Sequence, residues 1–174
     1  MQDIAVSYDK YKFLGNEFLT WLWFVLDNKQ NIIYDADNDL QSFEIGNRIV
    51  LENKVEKRTE IITIKGDDAG LEEGLLSLQK GAVVVEINLS CKTENQKWQF
   101  TLKGESLSLS SLKVPAKNIV ETKEDIEGAV LDKIYLCEKM IVLVDKLFQR
   151  FIKLRISNQW IKNIVPEIKK WVYA

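Results

Sequence analysis

The sequence predicts an α+β fold: a mainly antiparallel sheet with helices packed on one face, and one long C-terminal helix. Three observations carry this. Period-two runs of β-branched and aromatic residues recur between Ser42 and Lys113, turns as short as Gly104-Glu105 separate neighbouring runs, and from Thr122 to Arg155 the apolar period becomes three to four without a Pro. Short turns favour antiparallel neighbours, because a parallel return needs a crossover of a dozen or more residues. On this basis the chain divides into an α+β domain over 1–121 and a long helix with a short C-terminal helix over 122–174, the two forming one structural unit.

Residues 1–12 carry single apolar positions, Ile4, Val6, Tyr8 and Tyr11, and fit a strand or a tethered arm equally. Asn16 is a suitable N-cap for a helix reaching Asp27, whose nearly continuous apolar run predicts burial on most of its surface. Trp21 and Trp23 lie about 200° apart on that helix, so two contact surfaces are expected, the second available to another molecule. Asp35, Asp37 and Asp39 alternate as in a calcium loop. However, Leu40 stands where the turn Gly belongs and Gly46 where the bidentate Glu belongs, so the stretch reads as a polar loop.

Phe43, Ile45, Ile49 and Leu51 read as strand, with a turn or bulge at Gly46-Asn47. Thr59–Ile64 is the next strand. Residues 69–79 form a helix with Leu71, Leu75, Leu76 and Leu78 inward, closed by Gly81. Gly66, Gly70 and Gly74 make no phosphate loop, since no Lys-Ser/Thr follows them. Strands follow at Ala82–Cys91, Lys97–Lys103 and Ser106–Lys113, and Pro115 ends the last. Thr122 and Asp125 open the long helix as a capping box, and Val130, Ile134, Cys137, Ile141, Val144, Phe148 and Phe151 mark its buried face. At roughly 45–50 Å it outreaches a small domain, so part of it protrudes or packs on a second copy. Ser157 caps a short turn carrying Trp160, and Pro166 begins a final helix bearing Trp171.

The 174 residues are 46% apolar and 29% charged, as in ordinary globular proteins. No run of ~18 uncharged apolar residues exists to span a bilayer, and Asp3, Asp9 and Lys10 occupy the place of a signal peptide's apolar run, so a cytoplasmic protein without membrane contact is expected. Cys91 and Cys137, far apart in apolar patterns, read as two reduced buried thiols. The chain has no His, which removes the Ser-His-Asp triad, the Cys-His pair and imidazole metal sites. Asp67, Asp68, Glu72 and Glu73 would be the acids of a magnesium nuclease, but acids at a strand-to-helix turn more often serve the helix N-terminus. No enzyme, metal site or cofactor is expected.

Charge is unevenly spread. From Lys139 onward eight Lys and Arg face only Asp145 and Glu167, a net of +6, which leaves −8 for the first 138 residues of a chain whose total is −2. Lys146, Arg150 and Lys153 at i, i+4 and i+7 line one stripe that could track a phosphate backbone; the plainer reading is a solvated face at the negative end of a helix dipole.

Several stretches, spread over residues 13–155, resemble the C-terminal part of the recombination-associated RdgC family: Glu17-Phe18-Leu19-Thr20-Trp21-Leu22, Glu60-Ile61-Ile62-Thr63-Ile64-Lys65-Gly66, Glu72-Glu73, Lys80-Gly81-Ala82-Val83-Val84 and Leu109-Ser110-Ser111-Leu112-Lys113. The resemblance implies a nucleoid-associated, sequence-nonspecific DNA-binding protein, a homodimer encircling duplex DNA and restraining a recombinase. The turn at Lys65-Gly66 matches the family region bordering the DNA hole. The expected nucleic-acid contacts are Lys65, Lys146, Arg150, Lys153 and Arg155; the alternative is a protein-interaction or assembly module with no nucleic-acid role.

Overall fold

In the computed structural model, which describes residues 12–66, 69–115 and 122–174, five antiparallel strands form one sheet. They are β1 Ser42–Val55, β2 Arg58–Lys65, β3 Val83–Lys92, β4 Lys97–Lys103 and β5 Leu109–Lys113, laid side by side as β2-β1-β3-β4-β5. The helices are α1 Gly15–Asn28, α2 Asn31–Ala36, α3 Ala69–Gln79, α4 Lys123–Arg155 and α5 Val165–Val172. The class is α+β, as expected. The readings of residues 1–11, of Asp67 and Asp68 and of the Leu71 side chain fall outside the described residues.

Alternation on β4 shows how the sheet meets the helices. Trp98, Phe100 and Leu102 are fully buried while Lys97 and Lys103 are exposed, so one face is packed and the other polar. The core joins residues of the sheet, α1 and α4 in one cluster. Gly46-Asn47 is a bulge within an unbroken β1, where pairing with β3 slips between Ile45 and Ile49. Buried Asn88 fills the gap. Its Oδ1 accepts from Asn47 N at 3.4 Å and Gln99 Nε2 at 3.1 Å, and its Nδ2 donates to Phe100 O at 3.1 Å and Thr101 Oγ1 at 3.2 Å. A β-carbon on Gly46 would meet that oxygen at 2.0 Å, so any larger residue there would have to displace Asn88 from its hydrogen bonds. β5 begins three residues later than the alternation suggests, because Leu107 takes a left-handed φ of 51° and turns inward.

Other expectations are corrected by packing. Asn16 does not cap α1: the helix starts at Gly15, whose β-carbon would lie 1.8 Å from Gly104 O, and this close approach fixes how the chain enters. The second tryptophan surface of α1 is filled from within the chain. Trp21 packs on Phe151 at 5.6 Å between ring centroids, and Trp23 meets Trp171 edge-on at 5.4 Å. On α3, Leu75 and Leu78 reach the core but Leu76 is exposed, since it stands about 100° round from Leu75. The Ser157 hydroxyl donates back to Leu154 O at 2.7 Å instead of capping the next helix. Pro166 is carried by a π-helical turn, Trp160–Ile164, just before α5. Proline lacks an N–H and its ring crowds the carbonyl four residues back, and the wider turn relieves both.

α5 is clasped onto the C-terminal ends of α1 and α3. Trp171 Nε1 donates to Asp27 Oδ2 at 3.1 Å, Lys29 pairs with Glu167, and Gln79 Nε2 donates to Val172 O at 2.7 Å. Burial raises the Asp27 carboxyl above its ordinary range, and the Trp171 hydrogen bond offsets this only in part; the Trp23 indole N–H approaches the same carboxylate without reaching hydrogen-bond geometry. A carboxyl raised by folding opposes folding while it is ionised, and that cost disappears as pH falls through its folded pKa. Asp27→Asn keeps an acceptor for Trp171. Thermal melts are expected to show it more stable than the parent at neutral pH, with the difference closing in acid; a variant less stable at neutral pH would contradict this. Cys91 and Cys137 are both free thiols, and burial pushes Cys91 up to about 12. Among the described residues no helix is long and apolar enough to cross a membrane.

Candidate nucleic-acid interface

α4 opens with the capping box read from the sequence: Asp125 N donates to Thr122 Oγ1 at 3.1 Å, and Thr122 N to Asp125 Oδ2 at 3.0 Å. Its first buried residue is Leu136; the roughly 20 Å of helix before it, residues 123–135, is exposed except at half-buried Ala129 and Asp132. At Leu136 the sheet takes hold: Trp98 Nε1 donates to the Leu136 carbonyl at 3.1 Å. Beyond it Met140, Leu143, Val144, Leu147, Phe148 and Phe151 are buried. Val130, Ile134 and Ile141, expected inside, are exposed. The buried face is turned by roughly 70° from the expected one, since the helix lies across the sheet by its Leu136–Met140–Leu143–Leu147 side.

The five expected cations separate into three environments. Lys146 and Lys153 are exposed on the same face, two turns apart, and neither is within 4.0 Å of an acid among the described residues. Arg150 lies between them but leans on α2, with Nη2 at 3.8 Å from Asp35 and Nη1 donating to Ile32 O at 3.4 Å. That pair is open to solvent and worth little, so a phosphate can displace it. Arg155 is held differently: Nε donates to Glu17 Oε1 at 2.7 Å, and the guanidinium stacks over the Trp160 ring at 5.5 Å. It fastens α4 to α1. Lys65 closes β2, at the opposite edge of the sheet from β5, whereas α4 is fastened to β4. The fold therefore does not bring Lys65 into the helical stripe.

Lys139, two helical turns before the stripe, was not among the expected contacts. It sits 5.4 Å over the Trp98 ring and shares with Lys146 a cleft of about 330 Å³ bordered by Asp37, Asp39 and Glu138. The cleft mixes signs, so the exposed phosphate track is confined to Lys146 and Lys153, with Arg150 available beside them. Asp35 lies in the last turn of α2 and Asp37 accepts from Asp39 N at 3.0 Å, an arrangement of a turn.

Sequence reasoning missed the exposed apolar residues of α4. Ile126, Val130, Ile134 and Ile141 form one stripe, and Leu131, Tyr135 and Val142 a second, roughly 110° round. The first stripe runs into a groove of about 300 Å³ between β5 and α4, lined by Leu107, Leu109, Leu112, Val144 and Phe148. Asp145 stands at its rim, its carboxyl raised by burial and hydrogen-bonded by Gln149 Nε2 at 2.7 Å. The signal in the sequence was the helix length, which exceeded what one core could cover. No family model matches the chain, and no curated protein matches it.

Proposed function

We propose that the chain is a non-enzymatic, sequence-nonspecific DNA-binding protein that acts as an oligomer. The observation that carries the reading is the placement of Lys146 and Lys153, two cations on one face of a helix with no acid beside them among the described residues, and Arg150 between them, held by a solvent-open pair and one backbone carbonyl. Such a row suits a phosphate backbone and reads no base sequence. The acidic total does not oppose it, because only the contacting surface must be positive. The likeness to the RdgC family supports the same reading, and extends it to a nucleoid location and to contact with a recombinase. Lys65, on the far edge of the sheet, contributes only if a second copy brings it to the same duplex.

Gel-shift titrations of a random duplex are expected to show binding at low salt that falls steeply toward physiological salt. No binding at low salt, or binding indifferent to salt, would sink the reading. The exposed apolar stripes of α4 favour a second reading, an assembly module without DNA affinity. The same titration separates the two, since such a module gives no shift at any salt.

A further inference from the structure

We propose that the open face of the sheet is a second phosphate-binding surface, back to back with the α4 stripe, so that one chain bridges two duplexes. The inference goes beyond the proposed function and rests on its DNA-binding part. On this face the ladder sets Lys92 of β3 directly opposite Lys97 of β4, and Lys113 of β5 opposite Gln99, two residues along from Lys97. Lys97, Gln99 and Lys113 line one cleft of about 370 Å³. Like charges directly opposite across strands oppose folding, and among the described residues none of these three exposed lysines has an acid within 4.0 Å. An anion laid across them relieves that repulsion. A second like-signed pair, Arg48 opposite Lys65, lies on the same face. Arg48 is 3.7 Å from Glu86, whereas Lys65 has no such partner among the described residues. Lys65 and Lys97 stand three strands and about four residues apart, roughly 20 Å, over which one strand of a duplex presents about six phosphates.

The chemistry of the face selects its occupant. Its exposed apolar residues, Ile61 and Val83, lie in the Glu52 row near the β1–β2 turn, away from the lysines, where a protein partner would need an apolar centre. The strands turn no aromatic ring to it, and among the described residues only Phe13 borders it, at the Lys103 corner. Splayed bases would have little to stack on, whereas a duplex needs only its phosphates met. α4 packs on the other, buried face, where Trp98 holds the Leu136 carbonyl, and Lys146 and Lys153 point roughly 150° from the helix's buried side. The two cationic surfaces thus face apart, and a straight duplex cannot lie on both. Lys65, which one copy cannot bring to the duplex on α4, belongs to the second. Glu44, Glu52 and Glu86 stand among the sheet cations, so this surface is the weaker and a lone duplex goes to α4 first.

Beads carrying one random duplex, with the full chain limiting and salt low, are expected to retain a second, labelled duplex. Lys97→Glu with Lys113→Glu should cut the retained label roughly tenfold or more, since two phosphate contacts become repulsions. The gel shift of a single duplex should be unchanged, because the α4 stripe is intact. The variant should melt no lower than the parent, since Lys97→Glu places opposite charges across from Lys92. A parent that shifts one duplex but retains no second overturns this inference and leaves DNA binding standing. A variant that retains as much label as the parent assigns the bridge to copies joined elsewhere, and overturns it too. A chain that shifts no duplex at any salt removes the reading on which both rest.

Discussion

Replacing Lys146 and Lys153 together by alanine should weaken duplex binding roughly 60-fold at 0.1 M salt, because each lost phosphate contact forfeits the release of about 0.9 counterion. The slope of log affinity against log salt should fall by about two, equally for every sequence tested. Both side chains are exposed, so thermal stability should stay within about 0.5 kcal/mol of the parent. Arg155→Ala is the informative contrast. Its guanidinium is occupied by Glu17 and Trp160, so its removal should lower the melting temperature and leave the salt slope where it was. If Arg155→Ala flattened the slope and the lysine pair did not, the assignment of roles along α4 would be reversed.

Trp98→Ala should cost about 3–5 kcal/mol in urea denaturation, a large part of the ~5–15 kcal/mol that holds a typical domain. The indole is fully buried, packs beneath Lys139, and donates to the Leu136 carbonyl at the point where α4 meets the sheet. Trp98→Phe keeps most of the volume and loses the donor, so it should cost only about 1 kcal/mol. Equal losses in the two variants would mean that the hydrogen bond outweighs the packing.

Local chemistry was legible wherever neighbours in sequence decided it. Alternation placed β2, β3 and β4 to within a residue or so, and the Thr122–Asp125 box marked the start of α4. What failed depended on distant chain. The buried side of α4 is chosen by where the sheet ends beneath it, and a helix with apolar residues on several sides offers the sequence reader more than one candidate face. The Arg155–Glu17 contact spans 138 residues, so nothing near Arg155 announces that its charge is engaged. The same holds for Trp23, whose partner Trp171 arrives from the other end of the chain. Of the candidate site, the stripe could be read at Lys146 and Lys153, while the environments of Arg150 and Arg155 required the tertiary contacts.

The two rims of the sheet bear on how the molecule can multiply. β2 presents Arg58, Glu60 and Lys65 along its open side, and β5 is only five residues long before Pro115 halts it. Charged or very short margins discourage strand addition. Growth from sheet to sheet, which would have no natural end, is thereby obstructed, and any gathering of copies is left to helical surfaces that can close on themselves and stop.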